Sequence, residues 1–112
     1  MIARALLLIS ITASLWAQVS FDRILGANKE PHNWLTYSGS NMSQRHSPLN
    51  QITPGNVKNL ELQWVYHARS LEKYEATALV VDGIMYTVQA PNDVIALDAA
   101  TGRVFWTYQF AP

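Results

Sequence analysis

Three histidines, eight carboxylates and no cysteine bound the chemistry that these 112 residues can perform. Without a thiol there is no disulfide framework, no thiolate metal site and no cysteine nucleophile. His32, His46 and His67 stand 14 and 21 residues apart, without the paired spacing by which one element presents two metal ligands. No serine lies in a nucleophile elbow, so acyl transfer has no support. One carboxylate differs in its setting: Glu75 stands at the head of the apolar run Ala76 to Val81. An isolated acid there is ordinarily a solvated strand-start group, because acidic side chains are rarely buried.

A second constellation concerns the chain's own architecture. In ALDAATGRVFW, Ala96 to Trp106, Gly102 permits a positive φ in a turn, and Asp98 can accept hydrogen bonds from the exposed turn amides. Ala96 leaves room for a neighbour to approach. Trp106 projects a large flat ring with a single N–H donor, suited to stacking on an adjacent sheet.

The elements that must position these residues follow from periodicity. Phe21 to Asn28 places Ile24 and Leu25 near Phe21 at helical spacing, with Gly26 and Asn28 as stop residues, and predicts one or two helical turns. Pro31 blocks continuation. The stretch His32 to Gly55 is rich in Asn, Ser, Gly and Pro, and reads as a long connecting arm that lies on something larger than itself.

From Leu60 to His67 the side chains alternate, with Leu60, Leu62, Trp64 and Tyr66 on one side, which predicts a strand. Further apolar runs follow at Ala76 to Val81, Ile84 to Val88, Val94 to Leu97 and Val104 to Tyr108. Asp82-Gly83 is a strong hairpin signal, and Thr101-Gly102 marks a second turn. Residues 76–108 are thus expected to form three consecutive antiparallel strands, with the strand at Leu60 to His67 separate and upstream. Such a meander exposes apolar faces and open edges that other strands must cover; repeating the sheet radially solves both problems.

The first residues have a different purpose. Met1 to Arg4 ends in a positive charge, and Ala5 to Leu15 is an apolar run broken only by Ser10, Thr12 and Ser14. That is the pattern of a signal peptide, with cleavage after Ala17, the alternative being a short amphiphilic anchor helix that stays attached. The run is too short for a stable membrane span, which needs about 20 apolar residues. Eight basic side chains balance eight acidic ones and are scattered from Arg4 to Arg103, so no nucleic-acid footprint is present. Losing Arg4 with the leader leaves 7 basic against 8 acidic groups, a net charge of −1.

The sequence resembles the PQQ-dependent (quinoprotein) alcohol dehydrogenases. Ala96, Asp98, Gly102 and Trp106 match the tryptophan-docking motif of that family. NWLTYSGSNMSQRHSPLNQITPGNVKNLELQWVY, Asn33 to Tyr66, is similar to its amino-terminal arm. YEATALVVDGIMYT, Tyr74 to Thr87, is similar to its first propeller strand pair, where a glutamate ahead of the strand touches the quinone. Glu75 occupies that position. One departure stands beside it: the family commonly has proline where this chain has Ala78, which fixes the backbone less tightly.

The resemblance implies an all-β fold, a partial β-propeller made of the first blade and the amino-terminal arm of an eight-bladed quinoprotein. It divides the chain into a signal peptide at 1–17, a helix and extended arm at 18–59, and propeller strands at 60–112, with the remaining blades required. It implies a periplasmic enzyme that oxidises alcohols and passes electrons to a cytochrome c. PQQ is its cofactor, and Ca²⁺ or a lanthanide is its Lewis acid. Glu75 is the cofactor-binding residue that carries over. The resembled base, metal ligands, disulfide and stacked tryptophan all lie on later blades, so no catalytic or metal-binding residue is assigned here, and a chain that ended at Pro112 would be inactive. The alternative is a non-enzymatic propeller of docking-motif repeats that serves as an assembly scaffold, for which ALDAATGRVFW alone would suffice.

Overall fold

The computed structural model of the protein describes residues 19–91 and 93–111; the leader expected at 1–17 lies outside them. The first described element is a short helix, α1 (Phe21–Leu25), followed by a tighter helical turn at Ala27–Lys29. Ser20 begins α1, its hydroxyl accepting the Arg23 amide at 3.2 Å. At the other end the Gly26 amide closes onto the Asp22 carbonyl at 2.9 Å. The helical turns expected over Phe21 to Asn28 are therefore present.

Four antiparallel strands follow, β1 (Leu79–Val81), β2 (Ile84–Gln89), β3 (Asp93–Asp98) and β4 (Val104–Gln109), hydrogen-bonded in chain order. The expected count of three is corrected to four. The chain reverses at Asp82-Gly83, between Gln89 and Asp93, and again around Gly102, and three reversals make four strands. The first run also becomes a strand only at Leu79, because Ala76 to Ala78 have no ladder partner among the described residues. In the first hairpin both Asp82, at φ 51°, and Gly83, at φ 82°, are left-handed, the backbone that matches a two-residue turn to the twist of its strands.

A second correction concerns Leu60 to His67, which forms no strand. Strands are made by backbone ladders, and among the described residues no strand pairs with this segment. It runs extended across one face of the sheet and holds on through side chains. Its alternation survives in reduced form: Trp64 and Tyr66 are half-buried, whereas Leu60 and Leu62 are exposed.

The cross-strand register sorts the sheet's two faces. Tyr86, Ala96 and Trp106 stand opposite one another on β2, β3 and β4, and so share a face. Met85 pairs with Leu97, and Thr87 with Ile95, on the other. That second face holds the deepest apolar side chains, Ile95 and Leu97, beneath the extended segment. Ala96 is also fully buried, since the rings of Tyr86 and Trp106 lean together over it, their centroids 6.1 Å apart.

The amino-terminal arm is fixed to the β1 edge in two ways. Trp34 makes a one-residue antiparallel bridge to Val80, with amide-to-carbonyl distances of 2.8 and 3.1 Å. Arg23 spans the first hairpin turn: its guanidinium donates to both oxygens of Glu30 at 2.8–3.0 Å and also grips the carboxylate of Asp82. Asn33 completes the clasp, donating to Glu30 at 2.7 Å and accepting the Asp82 amide at 2.9 Å.

Hydrogen bonds from Arg23 hold the carboxyls of Glu30 and Asp82 below the usual carboxylate range, with Asn33 assisting in both cases. Groups whose folded pKa is depressed contribute stability above their unfolded pKa and lose it as pH falls through the folded value. The arm is therefore expected to stay docked at neutral pH and to loosen only when the pH drops below the ordinary carboxylate range. Hydrogen exchange at the Ile24 and Gly26 amides, followed against pH, checks this. Protection that does not change under acid contradicts it.

Candidate functional site

The motif at the β3–β4 turn is built as its residue types require. Gly102 has φ 71°, and the Asp98 carboxylate accepts the amides of Ala100 and Thr101 at 2.9 and 3.2 Å. The Gly102 amide in turn reaches the Asp98 carbonyl at 2.8 Å. Because Gly102 has no side chain, the indole of Trp64 lies directly on it: a Cβ there would fall 2.5 Å from the Trp64 ring. The same ring donates its N–H to the Ala99 carbonyl at 3.2 Å.

This turn therefore receives a tryptophan, Trp64 of the extended segment. Trp106 lies elsewhere, over Ala96 on the opposite face and half exposed. Sequence reasoning passed over Trp64 as a docking residue. The signal was available: Trp64-Val65-Tyr66 has the same spacing as Trp106-Thr107-Tyr108.

Beyond Trp64 the segment continues across the sheet. Trp64, Tyr66, Tyr74 and Ala76 form one wall of a cavity of about 300 Å³, and Met85, Thr87 and Leu97 form its floor. Alternate residues of extended backbone point to opposite sides. Tyr74, Ala76 and Ala78 turn to this cavity, and Glu75 is outside its lining.

Glu75 stands four residues ahead of β1, exposed, and forms no hydrogen bond or ion pair with the described residues. This is the setting of a solvated carboxylate, open to any hydrogen-bond donor that approaches it. An unpaired carboxylate accepts hydrogen bonds and donates none, and repels other anions. Against a tricarboxylated quinone an ionised Glu75 would be repelled by a carboxylate edge, so there it must face a donor group or take up a proton. Glu75 alone could make at most one such contact, so a cofactor site would need other residues as well. The histidines do not converge, and among the described residues no three His, Cys, Asp or Glu side chains gather as a metal centre.

Comparison with known proteins gives a consistent picture. Residues 34–112 match the family described as PQQ: glucose/ethanol/alcohol dehydrogenase, β-propeller domain. The chain is 43% identical over 99 residues to quinohemoprotein alcohol dehydrogenase ADH-IIG of Pseudomonas putida, covering 88% of this chain and 14% of that one. It is 49% identical over 76 residues to 1-butanol dehydrogenase (cytochrome c) of Thauera butanivorans, covering 67% of this chain and 11% of the relative. Among solved structures, ADHIIG from Pseudomonas putida HK5 superposes with a TM-score of 0.79 at 46% identity, over 82% of this chain and 14% of that one. A europium-containing methanol dehydrogenase superposes with a TM-score of 0.73 at 33% identity, over 80% of this chain and 16% of that one. The match thus spans only 11–16% of the length of these proteins.

Proposed function

Because the chain belongs to the PQQ-dependent glucose, ethanol and alcohol dehydrogenase β-propeller family, we propose that it is the amino-terminal segment of an exported enzyme that oxidises alcohols and passes electrons to a cytochrome c. The observation that carries this reading is extent: the match spans residues 34 to 112, a range that takes in the arm, Glu75 and the docking turn. The leader pattern of residues 1–17 supports export to the periplasm. The name of the Thauera relative supports a cytochrome c as acceptor.

When bound, the quinone supplies a carbonyl that accepts the hydride equivalent of the alcohol, with Ca²⁺ or a lanthanide as Lewis acid. This chain's contribution is positional. Glu75 would offer its carboxylate to a donor group of the quinone, and the turn at Gly102, docked by Trp64, ties the extended segment to the sheet. The base and the metal ligands belong to other parts of the enzyme.

Titrating the apo form of the complete enzyme with PQQ tests the assignment. Glu75→Ala is expected to weaken binding by about 10- to 150-fold, the worth of a hydrogen bond to a charged group. Glu75→Gln, which keeps an acceptor oxygen, retains much of the affinity. Unchanged binding in Glu75→Ala removes Glu75 from the site.

A further inference from the structure

We propose that Thr87 is a positioning residue for Glu75 and acts through Tyr74. This rests on the reading of Glu75 as a cofactor contact, and goes further by identifying what aims its carboxylate. The Tyr74 hydroxyl meets the Thr87 hydroxyl at 2.6 Å, and Thr87 is 6% exposed on the covered face of β2. Tyr74 is the residue immediately before Glu75, so the bond fixes the backbone from which the carboxylate springs.

Among the described residues no backbone ladder does so. Residues 69–74 belong to no strand or helix, and the local turn they contain is a bond from the Glu72 amide to the Ser70 hydroxyl at 3.1 Å. The loop is held by its ends. At the far end Gln89, 3% exposed, accepts the Arg69 amide at 3.1 Å and the Tyr66 hydroxyl at 3.4 Å. Its own amide donates to Asp93 at 2.9 Å, which keeps the acceptor oxygen turned to the loop. Thr87 and Gln89 stand two residues apart on β2 and so face the same side, toward the loop. Polar side chains this deep in a strand stay only when satisfied, and both are satisfied by the segment leading into Glu75. A loop without a backbone ladder takes its position from such anchors.

The test is equilibrium titration of the complete apoenzyme with PQQ, followed by quenching of protein fluorescence. Thr87→Val and Tyr74→Phe each delete one hydroxyl and are each expected to weaken binding by about two- to tenfold, the worth of one neutral hydrogen bond. Thr87→Ser restores the affinity to within about twofold. In a Glu75→Ala background Thr87→Val has almost no further effect, because no carboxylate is left to aim.

Equal losses with and without Glu75 overturn the proposal, as do silent Thr87→Val and Tyr74→Phe variants. Should Thr87→Val fail to fold, Tyr74→Phe decides alone, since that ring is 45% exposed and loses only its hydroxyl. If Glu75→Ala itself leaves the titration unchanged, the cofactor reading falls and the proposal with it. If Glu75→Ala weakens binding while both hydroxyl deletions are silent, positioning alone falls.

Discussion

Gly102→Ala in the complete enzyme is expected to lower stability by about 3–5 kcal/mol, combining left-handed backbone strain with eviction of an aromatic ring. The two parts have separate origins. A residue with a Cβ at φ 71° is strained whatever surrounds it, at about 1–2 kcal/mol. The remainder is steric, because the new methyl would stand 2.5 Å from the Trp64 ring, which cannot remain over the turn while donating to the Ala99 carbonyl.

Thermal melts of Gly102→Ala, Trp64→Ala and the double variant separate these parts. With the ring already gone, Gly102→Ala costs only the backbone strain, so the double variant is markedly more stable than the sum of the two losses predicts. Strict additivity would mean that Trp64 does not dock on this glycine. Tryptophan fluorescence gives an independent check: Gly102→Ala releases an indole to water and shifts the emission to the red.

That docking marks where sequence reasoning succeeds and where it stops. The motif Ala96 to Trp106 was legible because its requirements are local: a left-handed turn needs glycine, and exposed turn amides need an acceptor a few residues before it. The identity of the ring that fills the turn was not, since Trp64 and Gly102 are brought together only by the path of a segment that forms no ladder of its own. Leu60 to His67 shows the same limit. Its alternation is real and places Trp64 and Tyr66 toward the sheet, but period two reports which side chains face inward, not whether a partner strand lies alongside. The buried pair Thr87 and Gln89 was invisible for a further reason. In sequence a threonine and a glutamine on a half-apolar strand look like solvent-facing positions, and only the loop folded over them makes them interior.

A polypeptide confined to residues 18–112 is expected to aggregate or remain largely unfolded. Among the described residues the buried apolar side chains are Ala27, Leu35, Ile95, Ala96 and Leu97, too few to offset the conformational entropy of ordering so long a chain. The exposed ones are larger. Phe105, Trp106, Tyr108 and Phe110 are each between 44% and 58% exposed on or just beyond β4, which among the described residues is also an unpaired sheet edge. An open, aromatic edge of this kind recruits other strands unless a neighbouring sheet covers it. In a radial repeat the cover is the next sector, which would receive Trp106 as the turn at Gly102 receives Trp64. Circular dichroism and size-exclusion chromatography of the segment decide the matter, and a sharp monomeric peak with a cooperative melt would refute the expectation. Co-expression with the remaining sectors should recover soluble sheet, because the surface that drives association between copies is the surface those sectors are expected to bury.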